Sequence, residues 1–254
     1  MEYITSRKNP LISHIRKLIA DRSYRRASGE FLGYGTKLLE EAVRWNAPLT
    51  AVVCSPGVPL PLIEGLRRVE VPEDVMASIS PSKTPQGALF TTKLPDTAPP
   101  ERLAGGRWLV LDGLQDPGNV GTIWRTADAL GADGLLLVNR CADPFSPKTV
   151  RATMGACFRL PVYEMEAEGL PGLLERSGLP LYAAALREDT ADIKTAGLNH
   201  CAVAVGSEGG GVSPELLALS QKTIKIPMRD RCESLNAAAA AAVILWEMAR
   251  DTLS

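Results

Sequence analysis

Apolar residues recur at Leu11, Ile12, Ile15, Leu18 and Ile19, with basic residues between them. That three-to-four spacing predicts one amphipathic helix over residues 10–26. FLGYG (31–35) reads as a short strand, TKLLEEAVRW (36–45) as a helix and LTAVVC (49–54) as a strand. VPEDVMASI (71–79) reads as a helix with Pro72 at its start, and GALFTTK (87–93) as a strand. These elements predict a small α/β module. The stretch KLPDTAPPERLAGG (93–106) has no periodicity and is rich in Pro and Gly, which predicts a linker.

Beyond it, apolar strands alternate with helical patterns. RWLVLDG, GLLLV, PVYEM, LPLYAAAL, CAVAVG and KTIKIPM are the strands. NVGTIWRTADALG, SPKTVRATMGA, GLPGLLERSG and SPELLAL are helices, the last with Ser213 as N-cap and Pro214 at N1. A long helix closes the chain over residues 235–250. Apolar strands joined by helical crossovers predict a mostly parallel sheet covered on both faces.

Composition adds limits. At 254 residues, 45% hydrophobic and 22% charged, the chain has the make-up of an ordinary globular protein. The alanine-rich run 237–246 is too short to span a bilayer. The opening MEYITSRKNP lacks a signal peptide's apolar core, so a cytoplasmic protein is expected. Five scattered cysteines without a C-x-x-C pair, and only two histidines, argue against a disulfide framework, a zinc site or any other metal. Net charge is −1, yet Arg7, Lys8, Arg16, Lys17, Arg22, Arg25 and Arg26 crowd the first segment against one acid, Asp21. That segment is either a solvated helix face or a phosphate-contacting patch.

Ligands of open parallel sheets bind beyond the carboxyl ends of the strands. Three such loops stand out. LDGLQDPGNVGTIWR (111–125) has the glycine spacing of a P-loop, but Asn119 stands where the lysine belongs. Asn119 is expected to cap the next helix, with Arg125 on that helix's first turns. VGSEGGGVSPE (205–215) has three consecutive glycines, which suit backbone brought close to a ligand. It does not fit G-x-G-x-x-G. IPMRDRCESLNAAAA (226–240) carries Ser234, read by itself as an N-cap, and alanines that suit close helix packing.

In that order the three loops resemble motifs 1, 2 and 3 of the SpoU (TrmH) family of SPOUT RNA methyltransferases. NVGTIWRTADALGADGLLL resembles N-x-G-x-x-x-R; GSEGGGVS resembles G-[NS]-E-x-x-G; IPM followed by SLN resembles the third motif. The resemblance covers residues 107–250 strongly. It implies a SPOUT-type α/β fold, a mostly parallel sheet with a C-terminal trefoil knot, preceded by a small ribosomal-protein-like α/β domain. The implied boundaries are an RNA substrate-binding domain at 1–95, a linker at 96–106 and the methyltransferase domain at 107–254.

The resemblance further implies 2′-O-ribose methylation of RNA with S-adenosyl-L-methionine, in a homodimer joined through the C-terminal helix. Catalytic positions carried over are Arg125, Asn119, Glu208, Ser234 and Asn236. Cofactor positions are Gly206, Ile226, Leu235, Met228 and Gly211. RNA-binding candidates are Arg7, Lys8, Arg16, Lys17, Arg25, Arg26 and Lys37. A guanidinium is ordinarily a cation, so Arg125 is either a perturbed base or a bidentate holder of the neighbouring phosphate. Relatives commonly read F-L-V-E-G where this chain has FLGYG, which bears on RNA choice. Ribosomal RNA is the expected target. Transfer RNA, an antibiotic-resistance modification and a non-catalytic RNA-binding protein are the alternatives.

Overall fold

A computed structural model describes residues 1–82, 87–187, 190–229 and 234–252. In chain order the first elements are β1 (Glu2–Tyr3), α1 (Pro10–Ala20), α2 (Arg22–Ser28), β2 (Glu30–Tyr34), α3 (Thr36–Arg44), β3 (Leu49–Cys54), β4 (Arg67–Glu70), α4 (Glu73–Ile79) and β5 (Ala88–Lys93). Then come β6 (Arg107–Asp112), α5 (Pro117–Ala129), β7 (Gly134–Val138), α6 (Pro147–Thr153), β8 (Val162–Met165), α7 (Leu170–Ser177), β9 (Leu181–Ala184) and β10 (Ala191–Asp192). The chain ends with β11 (Cys201–Gly206), α8 (Pro214–Leu219), β12 (Lys222–Lys225) and α9 (Ala237–Ala249).

The chain divides into two compact units. One is Met1–Pro95 with Phe145–Arg159; the other is Asp96–Pro144 with Leu160–Ser254.

The first unit holds a five-stranded mixed sheet, ordered β1-β4-β3-β5-β2. Its core includes Ile12, Ile15, Leu18, Leu32, Val53, Val69 and Met76. The single helix expected over residues 10–26 is two. Asp21 has extended backbone, and its carboxylate accepts from the amides of Ser23 and Tyr24. A side chain that caps so well competes with continuing the helix. Pro72 is the N-cap of α4 rather than its first helical residue. Residues 145–159 join this unit from far along the chain. Phe145 and Phe158 lie against Phe31, with ring centroids 4.9 and 6.3 Å apart. Arg159 Nη1 lies 2.8 Å from Glu41 Oε2.

The second unit is one seven-stranded sheet, ordered β10-β12-β9-β11-β6-β7-β8, with every paired strand parallel. Strand β7 is buried at all five positions, as a parallel strand covered on both faces must be. From β6 the chain steps outward through β7 and β8. It then crosses to the other side for β9 to β12. The order therefore reverses between β6 and β11, the switch point of the sheet. Helices α5 and α9 pack together beside it. Residues 96–106 carry no helix or strand, but they are fastened down. Leu103 is buried, its amide donates to Ser177 Oγ, and the Ala104 carbonyl accepts from the Trp108 indole. Among the described residues no helix is long and apolar enough to cross a membrane.

Candidate functional site

Three loops at the carboxyl ends of β6, β11 and β12 bring three polar side chains together. Helix α5 starts at Pro117, and its N-cap is Asp116, whose carboxylate accepts from the Gly118 and Asn119 amides. Asn119 is therefore not the cap. It lies inside the first turn, and its side chain is available for another contact. Asn119 Nδ2 donates to Glu208 Oε1 at 2.7 Å. Asn236 Nδ2 donates to the same oxygen at 2.5 Å and to Asn119 Oδ1 at 3.3 Å. Asn236 also caps α9 through its Oδ1, which accepts from Ala238 and Ala239. Ser234, expected as that cap, lies two residues upstream on the cavity wall. The final helix accordingly begins later than expected.

Arg125 is exposed on α5, six residues beyond Asn119. At about 100° per residue it points roughly 120° around the helix from Asn119. It takes no part in the Asn119–Glu208–Asn236 cluster.

A second set of contacts holds the loops that carry the cluster. Asp112, at the end of β6, is 3% exposed. Its carboxylate accepts from Asn139 Nδ2 at 2.7 Å and from the Ser213 amide at 2.6 Å. Ser213 is the N-cap of α8, as expected from sequence. One buried carboxylate thus ties the ends of β6 and β7 to the loop after β11. Sequence reading missed Asp112 and Asn139. Their partners lie 27 and 101 residues away, so no local motif announces them.

Behind the cluster is a cavity of about 290 Å³. Gly206, Gly211, Ile226, Met228 and Leu235 all line it, with Glu208 and Ser234. Val205, Ile224 and Ile244 add apolar wall. Ala240, from the alanine run of the third loop, also contributes; Leu186 and Ile193 do too and carried no sequence signal, being ordinary apolar residues of other elements. Gly206 is required by geometry. A Cβ there would lie 1.9 Å from the backbone carbon and oxygen of Gly211. The loop folds back on itself at that point, with the Gly211 amide donating to the Ser207 carbonyl at 2.8 Å.

The basic candidates of the first unit divide. Lys8, Lys17, Arg26 and Lys37 are exposed. Arg7 is exposed but pairs with Asp74 at 2.8 Å. Arg16 donates to the Arg7 carbonyl and to Ser78. Arg25 is 5% exposed and donates to the Leu18 and Ile19 carbonyls, so it closes the end of α1 instead of facing solvent. A helix-end cation and a surface cation look alike in sequence. Cys54, Cys141, Cys157 and Cys201 are buried thiols, and Cys232 lies outside the described residues. Burial pushes the Cys141 thiol up to about 11 and Cys201 up to about 12. Among the described residues no cluster of His, Cys, Asp or Glu could hold a metal ion.

A fully parallel sheet with an apolar cavity at the carboxyl ends of β9, β11 and β12, closed by glycine-rich and polar loops, defines an α/β cofactor-dependent enzyme of the SPOUT methyltransferase architecture. Residues 106–246 match the SpoU rRNA Methylase family, and residues 9–89 match the MRM3-like substrate binding domain. The chain belongs to the SpoU rRNA methylase family. The 23S rRNA (guanosine(2553)-2′-O)-methyltransferase RlmP of Bacillus subtilis (strain 168) is 31% identical over 98% of this chain and 99% of its own length. An AdoMet-bound rRNA methyltransferase from Sinorhizobium meliloti superposes with a TM-score of 0.88 at 31% identity, covering all of this chain and 99% of that one. The SpoU methyltransferase AviRb from Streptomyces viridochromogenes, in complex with AdoMet, gives a TM-score of 0.85 at 26% identity, covering 97% and 99%.

Proposed function

We propose that this protein transfers a methyl group from S-adenosyl-L-methionine to a ribose 2′-hydroxyl of ribosomal RNA. The observation that carries the reading is the meeting of Asn119, Glu208 and Asn236, one from each motif loop, beside the cavity.

The cavity fits the cofactor. Its wall of Val205, Ile224, Ile226, Leu235 and Ile244 suits an adenine ring. The absent side chain at Gly206 keeps the loop backbone close enough to bind polar edges. When bound, the cofactor supplies a sulfonium methyl that is already electrophilic. The chain's residues must then present a poorly acidic hydroxyl in line and exclude competing geometries. Arg125, an exposed cation, holds the phosphate next to the target ribose and orients its hydroxyl. Glu208, with both amides on one oxygen, fixes the relation between the three loops. Ser234 faces the same space.

The first unit, with Lys8, Lys17, Arg26 and Lys37 outward, selects and binds RNA. The working form is a cytoplasmic homodimer joined through α9, whose Val243 and Trp246 are 39% and 53% exposed. The loops around the cavity form the family's trefoil knot.

Arg125→Ala tests the assignment. Methyl incorporation into ribosomal RNA is expected to fall roughly a hundredfold or more, the scale of a mispositioned substrate. Calorimetric binding of S-adenosylmethionine should not change. A wild-type rate in this variant would remove Arg125 from the chemistry.

A further inference from the structure

We propose that Arg140, in the turn after β7, contacts a backbone phosphate of the RNA substrate. The proposal rests on the functional reading above and adds a contact to it. Asn139 and Arg140 both have φ 56°, so two successive residues with side chains occupy left-handed backbone. Asparagine visits that region readily; arginine seldom does. Such a conformation persists where the surroundings over-determine it, and here they do. Asn139 Nδ2 donates to Asp112 Oδ1 at 2.7 Å. Gln115 Nε2 donates to the Arg140 carbonyl at 2.8 Å and to the Gly113 carbonyl at 3.1 Å. The Ala142 amide donates to the Leu114 carbonyl at 2.7 Å. The turn after β7 is therefore fastened to the turn after β6, which leads into Asn119.

That framework fixes the Arg140 backbone and leaves its side chain unused. The residue is exposed, and among the described residues its guanidinium makes no hydrogen bond or ion pair. A cation held out from a rigid corner, at the ligand end of a parallel sheet, suits an anion at a fixed distance from the reacting centre. In RNA that anion is a phosphate, which positions the strand without reading its sequence.

Arg140→Gly is the informative variant. Glycine keeps the left-handed backbone without strain, so the fold should hold or gain stability. The substrate is ribosomal RNA from a strain lacking the enzyme, tested with full-length protein. The expected result is an RNA KM raised about tenfold and a salt slope of RNA binding reduced by about one. S-adenosylmethionine affinity and Tm should not fall. Arg140→Lys should recover part of the RNA affinity. Unchanged RNA affinity and slope would overturn the proposal, as would a lowered Tm, which would make the guanidinium structural. Failure of wild-type protein to methylate this RNA at all would instead sink the functional reading, and the Arg140 contact with it.

Discussion

At the scale of residues, the site was partly legible. Asn119, Glu208 and Asn236 stood out by motif, but how they meet did not. Pro117 could have placed the cap correctly. A proline at the first helical position puts the N-cap at Asp116 and leaves Asn119 for another task. Asp112 was illegible because its contacts are long-range. Gly206 yields a sharp expectation. In Gly206→Ala the new methyl meets Gly211 backbone, which cannot rotate away as a side chain could. S-adenosylmethionine binding measured by calorimetry should be lost, with a fall in Tm; retained affinity would show that the loop can reopen. The buried thiols give a pH dependence. Desolvation raises Cys141 to about 11 and Cys201 to about 12 from 9.0, favouring the neutral thiol in the folded state. Their stabilising contribution is whole below pH 9 and is lost as pH rises from there through the folded values. Tm should decline above pH 9, and Cys201→Ala should flatten that decline; parallel curves would contradict the assignment.

Among elements, strand and helix types followed from periodicity, and the departures have local causes. Asp21 splits one predicted helix into α1 and α2. Strands β1 and β10 have two residues each, too few for a periodic signal. The glycine of FLGYG has a structural reason. Gly33 lies opposite Phe90 across the β2–β5 pair, and a Cβ at Gly33 would be 2.1 Å from the Phe90 ring. The ring covers the glycine, a known way to stabilise glycine in a strand. Tyr34 meets Arg151, with its hydroxyl 3.2 Å from Nη1. Arg151 also lies over the Tyr34 ring, 5.4 Å from its centroid, so the tyrosine offers it a hydroxyl and an aromatic face. Gly33→Val should destabilise by about 1–3 kcal/mol through overpacking. Adding Phe90→Val should recover part of that loss, so chemical denaturation of the double variant should show less than additive damage. Strict additivity would mean the two positions do not share space.

For the molecule as a whole, the parallel sheet was readable because buried parallel strands are uniformly apolar. The allegiance of residues 145–159 was not. SPKTVRATMGA lies between two strands of the second unit and looks like an ordinary crossover, yet its aromatic neighbours pack with the first unit. A fragment starting at residue 96 therefore strips Phe145 and Phe158 of their contacts. It should aggregate, and replacing residues 145–159 by a Gly/Ser linker should restore solubility, as light scattering would show; a monodisperse unmodified fragment would refute this. The same feature sets an order in time. As the chain leaves the ribosome, β6, α5 and β7 emerge before α6 does. The N-terminal unit cannot finish folding when its own strands are complete, because its last helix has yet to be made. Synthesis must run past Arg159 before Phe31 is covered, so the first unit to begin is not free to finish first.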